Sequence, residues 1–291
     1  MHSEFYTAAQ NDFVLVSLDF PQGEEAKAAV PNPQRNDELM AKYGVQGFPT
    51  VMIVSATGEA YGQTGYKDLD PADYLADVAT IRDTGKKALV AVRELEAEFA
   101  AAEDKVAVAV RAAGELSEME AGSPAIAGYA AIARQGIALT QEPAVKIDLL
   151  RAAVMATGAT EDDIKLIADW DPKNEHGLMV MVVISKMNSL GSIEDLPVFV
   201  DLAEKLHATG NVTADEDSRS IYITCAFFCA QYLDDEANAK VWAQRATDLG
   251  GLDERMQEVV DGILEEAVVV EPDFYNGGAS MRHQGIRLEW S

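Results

Sequence analysis

The sequence predicts two structural classes in one chain: a mixed α/β segment over residues 1–84 and an all-α helical-repeat domain over 85–270, followed by an irregular tail over 271–291. Three observations predict this division. Before residue 85, short β-branched runs alternate with single amphipathic segments and with clusters of Pro and Gly. From Lys86 to about Val270 no strand pattern occurs, and alanine-rich segments carry apolar residues every three or four positions. The length of 291 residues suits two domains of about 100–200 residues each.

In chain order, Phe13-Val-Leu-Val-Ser-Leu-Asp-Phe20 is a β-branched and aromatic run closed by Pro21, which predicts a buried strand. A polar stretch holding Pro21, Gly23, Pro31 and Pro33 follows, and Asn36 to Tyr43 predicts a short amphipathic helix stopped by Gly44. Residues 51–55 predict a second strand, Thr57-Gly58 a turn, and Ala60 to Gly65 a third strand. Asp70-Pro71 supplies a capping acid and then proline at the first helical position, opening a helix that carries Tyr74, Leu75, Val78 and Ile81.

Beyond that point the periodicity places helices at about 86–102, 104–121, 124–139, 143–157, 161–170, 174–190, 193–208, 215–233, 236–249 and 253–268. Gly122, Gly158, Gly210 and Gly250 mark short connections, which imply antiparallel neighbours. The stretches Asp148 to Gly158 and Asp201 to Gly210 are similar to one another, and Ala246 to Gly250 repeats their ends more loosely. This texture favours a stack of helix pairs, similar to tetratricopeptide-type solenoids, over a closed bundle. The tail, with Asn276-Gly277-Gly278 and Gly285, has no helical pattern.

Composition narrows the function classes. Lys and Arg number 23 against 49 Asp and Glu, a formal net charge of −26, with 48% hydrophobic residues. A charge of this sign repels phosphate backbones and anionic lipid, and no basic patch offsets it, so neither nucleic acid nor membrane is an expected partner. No apolar run reaches the roughly 20 residues of a membrane span, and the start has no signal-peptide pattern, so the chain as written reads as cytoplasmic. Thirteen of the acids and five of the bases fall before residue 85, which leaves most of the net charge to the solvated faces of the helical part.

One motif carries chemistry. Lys42-Tyr-Gly-Val-Gln-Gly-Phe-Pro-Thr50 lies between the short helix and the second strand. Together with Phe13 to Pro21, Glu38-Leu39-Met40, Gly58 and Gly65-Tyr66, it resembles the second half of a thioredoxin-fold domain, most of all that of the secreted bacterial thioredoxin-like proteins and disulfide reductase domains. The resemblance covers about 80 residues. It implies a cis peptide bond before Pro49 and a turn that presents the Phe48 backbone to an extended peptide. Phe48, Pro49 and Thr50 are then the substrate-contacting residues, with protein or peptide clients as partners. Closure of a helix-to-strand turn, which any α/β domain needs, is the other reading of Phe48 and Pro49.

The family's chemistry requires a Cys-x-x-Cys at a helix N-terminus, where a thiolate is stabilised for attack on a disulfide. No cysteine precedes Cys225, so the chain as written holds no catalytic pair and reads as a redox-inactive protein-binding module. The alternative is an N-terminally truncated thiol-disulfide oxidoreductase whose Cys-x-x-Cys lies upstream of Met1. Ser3 to Gln10 would then be the end of the redox helix or the segment after it. The domain would also lack the strand that in this family lies between those matching residues 13–20 and 51–55, which would leave both inner edges unpaired. An upstream segment with an export signal would move the expected location to the periplasm or another extracytoplasmic space.

The remaining candidates point to structural roles. Cys225 and Cys229 stand one helical turn apart among apolar neighbours, which predicts buried, inert thiols. His2, His176, His207 and His283 are scattered singly, with no metal-ligand or relay spacing. Asp171-Pro-Lys-Asn-Glu-His-Gly177 lacks the acid spacing of a calcium loop and predicts a helix connection capped by Asp171 or Asn174. Glu94, Glu96 and Glu98, Glu161 to Asp163, and Asp215 to Asp217 predict solvated faces or first helical turns. No phosphate-binding loop, metal site or cofactor motif is found in the sequence.

Overall fold

The computed structural model describes residues 3–265 apart from Gln22 and Gln46; the predicted tail at 271–291 lies outside the described residues. The chain forms two compact units, the first from residues up to 98 together with 119–128, the second from 99–118 and from 129 onward.

The first unit holds α1 (Ser3–Ala9), α2 (Glu24–Ala28), α3 (Pro33–Lys42), β1 (Thr50–Val54), β2 (Ala60–Gly65) and most of α4 (Pro71–Ala101). β1 and β2 form an antiparallel pair with Thr50 opposite Gly65 and Ile53 opposite Gly62. The predicted turn between them forms: Gly58 takes φ +81°, its N–H donates to the Ser55 carbonyl at 3.0 Å, and the Ser55 hydroxyl accepts the Thr57 and Glu59 amides. A single Gly at the left-handed position makes this turn possible. The helix predicted from Asn36 begins earlier, at Pro33, since a proline is favoured in the first helical turn.

Residues 13–20 correct the sequence reading. They form no strand, and Val14 and Val16 are 91% and 75% exposed. A β-branched run becomes a strand only where a ladder partner takes up its N–H and C=O groups. Among the described residues the sheet has two strands, and β1 pairs on one edge only. The run is instead held at single points. The Arg82 guanidinium lies over the Phe13 ring at 5.2 Å, and the Asn36 side-chain amide donates to the Asp19 carbonyl at 3.2 Å.

Asp70 caps α4 as its position predicts, its carboxylate accepting the Ala72 and Asp73 amides. Hydrogen bonds from the Asp73 and Ala72 amides hold this carboxyl below its ordinary range. The helix then runs on to Ala101 without the break expected between 81 and 86. Gly85 weakens helix propensity only modestly, and here it lies where a methyl group would overlap the Tyr61 backbone. On the same face the Tyr74 hydroxyl donates to the Gly65 carbonyl at 3.1 Å and Val78 is buried.

The second unit is all-α, with α5 (Lys105–Leu116), α6 (Ile126–Leu139), α7 (Pro143–Thr157), α8 (Glu161–Trp170), α9 (Leu178–Asn188), a one-turn 3₁₀ segment leading into α10 (Leu196–Ala208), α11 (Glu216–Gln231), α12 (Glu236–Leu249) and α13 (Glu254–Leu264). Alternate helices touch in a row, α5 on α7, α7 on α9, α9 on α11 and α11 on α13, while α8 to α13 also pack on their sequence neighbours. The apolar residues of α9 and α11 surround each helix rather than marking one face, and both helices are almost wholly buried. Trp242, Phe199 and Phe228 are the largest fully buried side chains of this core.

Part of the acidity sits at helix starts. Asp104, Asp215, Asp235 and Asp253 each accept the backbone N–H three residues on, and Thr160 does the same with its hydroxyl. Glu161 to Asp163 fill the first turn of α8, and Glu216 and Asp217 that of α11, where the helix dipole favours negative charge.

Candidate peptide-binding site

α3 ends at Lys42, and Gly44 turns the chain back with φ +62°. The Val45 amide donates to the Met40 carbonyl at 3.0 Å. The Tyr43 hydroxyl and the Lys42 ammonium both reach the Gly58 carbonyl, at 3.2 and 3.4 Å, which ties the end of α3 to the β1–β2 turn. The chain therefore enters β1 from a fixed point.

Between these anchors lie the residues singled out in the sequence. The Phe48–Pro49 peptide bond is cis. The Thr50 hydroxyl donates to the Gly47 carbonyl at 2.6 Å and closes the turn around it. Phe48 is 60% exposed, Pro49 is exposed, and Thr50 is half-buried at the head of β1. Among the described residues no hydrogen bond engages the Phe48 backbone, and the free edge of β1 continues from the same place. The three residues are thus adjacent, with Phe48 and Pro49 exposed, and continuous with the unpaired edge of β1, an arrangement able to align an extended segment by main-chain pairing. It contains no cysteine thiol, since the first cysteine is Cys225.

One neighbour was not legible in the sequence. The Phe20 ring stacks on Phe48 with centroids 4.9 Å apart and planes inclined by 28°. No local pattern links two positions 28 residues apart. The only available sign was that Phe20 ends the apolar run just before a proline.

The other candidates have structural surroundings. Cys225 and Cys229 are buried, and burial pushes the first thiol well up and the second to about 11, so neither is a ready thiolate. Asp171 accepts the amides of Glu175, His176 and Leu178, while Asn174 accepts that of Met179, so this loop caps the entry to α9. The side-chain amides of Asn174 and Asn211 each donate to the other's backbone carbonyl, joining two connections. His207 sits in an aromatic cluster, its Nδ1 2.8 Å from the Tyr222 hydroxyl, with burial and then the Arg245 charge holding its pKa down. His2 and His283 lie outside the described residues. No group of three or more His, Cys, Asp or Glu is placed to hold a metal, and no helix is long and apolar enough to cross a membrane, among the described residues.

Over 78 residues, 26% of this chain, the sequence is 36% identical to the disulfide bond reductase DsbH of Chlamydia pneumoniae. The match takes in 45% of that protein, so the chain spans less than half the length of this curated relative. No family model and no solved structure matches. The similarity supports a thioredoxin-like relation for the matched stretch.

Proposed function

We propose that this chain is a peptide-binding part of a thiol-disulfide oxidoreductase-type protein, in which Phe48, Pro49 and Thr50 receive an extended client segment and the helical unit supplies a second, protein-binding surface. The observation that carries this reading is the exposed Phe48–Pro49 turn with its free backbone at the unpaired edge of β1. The partial similarity to a disulfide bond reductase supports the same class. The row of alternate helices supports a repeat-type stack in the second unit. On this reading the chain binds and does not exchange disulfides, because it brings no cysteine to the turn. Binding of unfolded, cysteine-free peptides tests it: saturable affinity that weakens when Phe48 and Thr50 are replaced together is expected, and no binding at any concentration contradicts it.

A second reading is favoured by a specific observation. Residues 13–20 are a run built like a strand that forms no ladder among the described residues, and β1 has an open edge, so a further strand could pair with both. We infer that the chain belongs to a longer oxidoreductase whose Cys-x-x-Cys and intervening strand lie upstream of Met1. Such a protein would act on disulfides, which persist in oxidising compartments, so the location proposed with it is extracytoplasmic. Insulin reduction separates the two readings. Activity in a chain extended by the preceding reading frame, with none in residues 1–291, supports the longer enzyme; inactivity of both leaves the binding module.

A further inference from the structure

We propose that Phe20 is a specificity residue of this peptide site, and that the Phe20–Phe48 pair selects an extended segment carrying an apolar residue beside a basic one. The inference rests on the reading of Phe48, Pro49 and Thr50 as peptide-contacting. Phe48 keeps 60% of its surface exposed even with Phe20 stacked on it, so the pair forms an aromatic shelf open to solvent. The shelf adjoins backbone that no described residue engages, so a side chain of a bound segment can cover the rings while its main chain pairs.

The shelf is held in advance. Asn36 is buried at 7% exposure, and its amide fixes the Asp19 carbonyl, one residue before Phe20. Pro21, one residue after, has a locked φ. With backbone restrained on both sides and the ring stacked on Phe48, Phe20 loses little freedom when a ligand arrives, which favours binding.

Charge decides what stands beside the apolar residue. Residues 45–51 carry no charge; Asp19 adjoins Phe20, and beside Asn36 the Arg35 guanidinium pairs with Glu38 at 3.0 Å, so the exposed Asp19 and Asp37 set the local sign. The whole chain bears −26, so a second copy or an acidic peptide is repelled and a Lys or Arg beside the apolar residue is attracted.

The test uses the full chain and three labelled ten-residue peptides in a Gly-Ser-Thr background, with Phe-Lys, Ala-Lys or Phe-Glu at the centre, titrated by fluorescence anisotropy at low salt. Phe-Lys is expected to bind about tenfold more tightly than Ala-Lys, the scale of one aromatic contact, and more tightly than Phe-Glu. Phe20→Ala is expected to bring Phe-Lys down to the Ala-Lys level with an unchanged far-UV circular dichroism spectrum. Equal binding of all three peptides by the wild-type chain overturns the selectivity and leaves the peptide site standing, an outcome that does not depend on how any variant folds. Retention of the preference in Phe20→Ala overturns the role of Phe20. Failure of every peptide to bind overturns the underlying site and this inference with it.

Discussion

Gly85 of α4 rests against the backbone of Tyr61 in β2, so closely that a methyl group at residue 85 would overlap the Tyr61 carbonyl. Two effects of opposite sign meet there. Replacing a mid-helix Gly by Ala ordinarily gains up to about 1 kcal/mol of helix propensity, whereas forcing a methyl into packed backbone costs about 1–3 kcal/mol. The steric term wins because the neighbour is main chain rather than a movable side chain. Gly85→Ala should therefore lower stability by about 1–2 kcal/mol in urea denaturation, with an unchanged slope.

The same contact shows why one helix boundary was not legible. Asp83-Thr84-Gly85 has the composition of a break, and residues 70–81 and 86–102 both carry helical patterns, yet one helix spans both. Propensity at a single glycine costs too little to end a helix whose neighbouring turns are packed. The β1–β2 turn and Asp70 were legible because their signals are local. Residues 13–20 depart from their pattern for the opposite reason: their apolar pattern is right for a strand, but a strand depends on a partner elsewhere in the chain. The sequence points to Phe48, Pro49 and Thr50 through one continuous motif, while Phe20 meets Phe48 only through the fold.

Arg134 and Asp163 form the most enclosed ion pair described in the second unit. The guanidinium donates to the carboxylate at 2.8 Å and also to the Gly158 carbonyl and the Thr157 hydroxyl, bracing the α7–α8 turn. Burial pushes the Asp163 carboxyl up, but hydrogen bonds from Arg134 and Thr160 outweigh it and hold the carboxyl below its ordinary value of 3.8. A lowered folded-state value gives stability that is present above the unfolded value and lost as pH falls through the folded one. Asp163→Asn should therefore be less stable than wild type at pH 7, and the difference should narrow below about pH 4. Arg134→Ala, which leaves a largely buried carboxylate without its charged partner, should cost about 1–3 kcal/mol at pH 7. Thermal melts across pH 2.5–7 check both.

Trp242 is fully buried, yet its indole N–H finds no hydrogen-bond partner among the described residues. Its worth is therefore in packing, against Tyr222 at 5.2 Å and under the Arg245 guanidinium at 4.3 Å. Trp242→Phe should cost about 1 kcal/mol or less, because it removes an unpaired donor along with some volume, while Trp242→Ala should cost about 3–5 kcal/mol. Chemical denaturation of the two variants distinguishes packing from hydrogen bonding.

Cys225 and Cys229 should be silent in the native state. Both are buried, and their thiols titrate above the ordinary range. A disulfide-exchange reagent at pH 8 should label neither within minutes, and should label both once the chain is unfolded in guanidinium. Rapid labelling of either cysteine in the folded protein would contradict its placement.

The proposed peptide recognition at Phe48, Pro49 and Thr50 is tested most directly by following backbone amide resonances of the labelled chain during titration with an extended, cysteine-free peptide. Shifts concentrated at Gly47, Phe48 and Thr50, spreading to Val51 and Met52 along β1, are expected. Saturable binding that leaves these amides unmoved, with shifts confined to the helical unit, would contradict it.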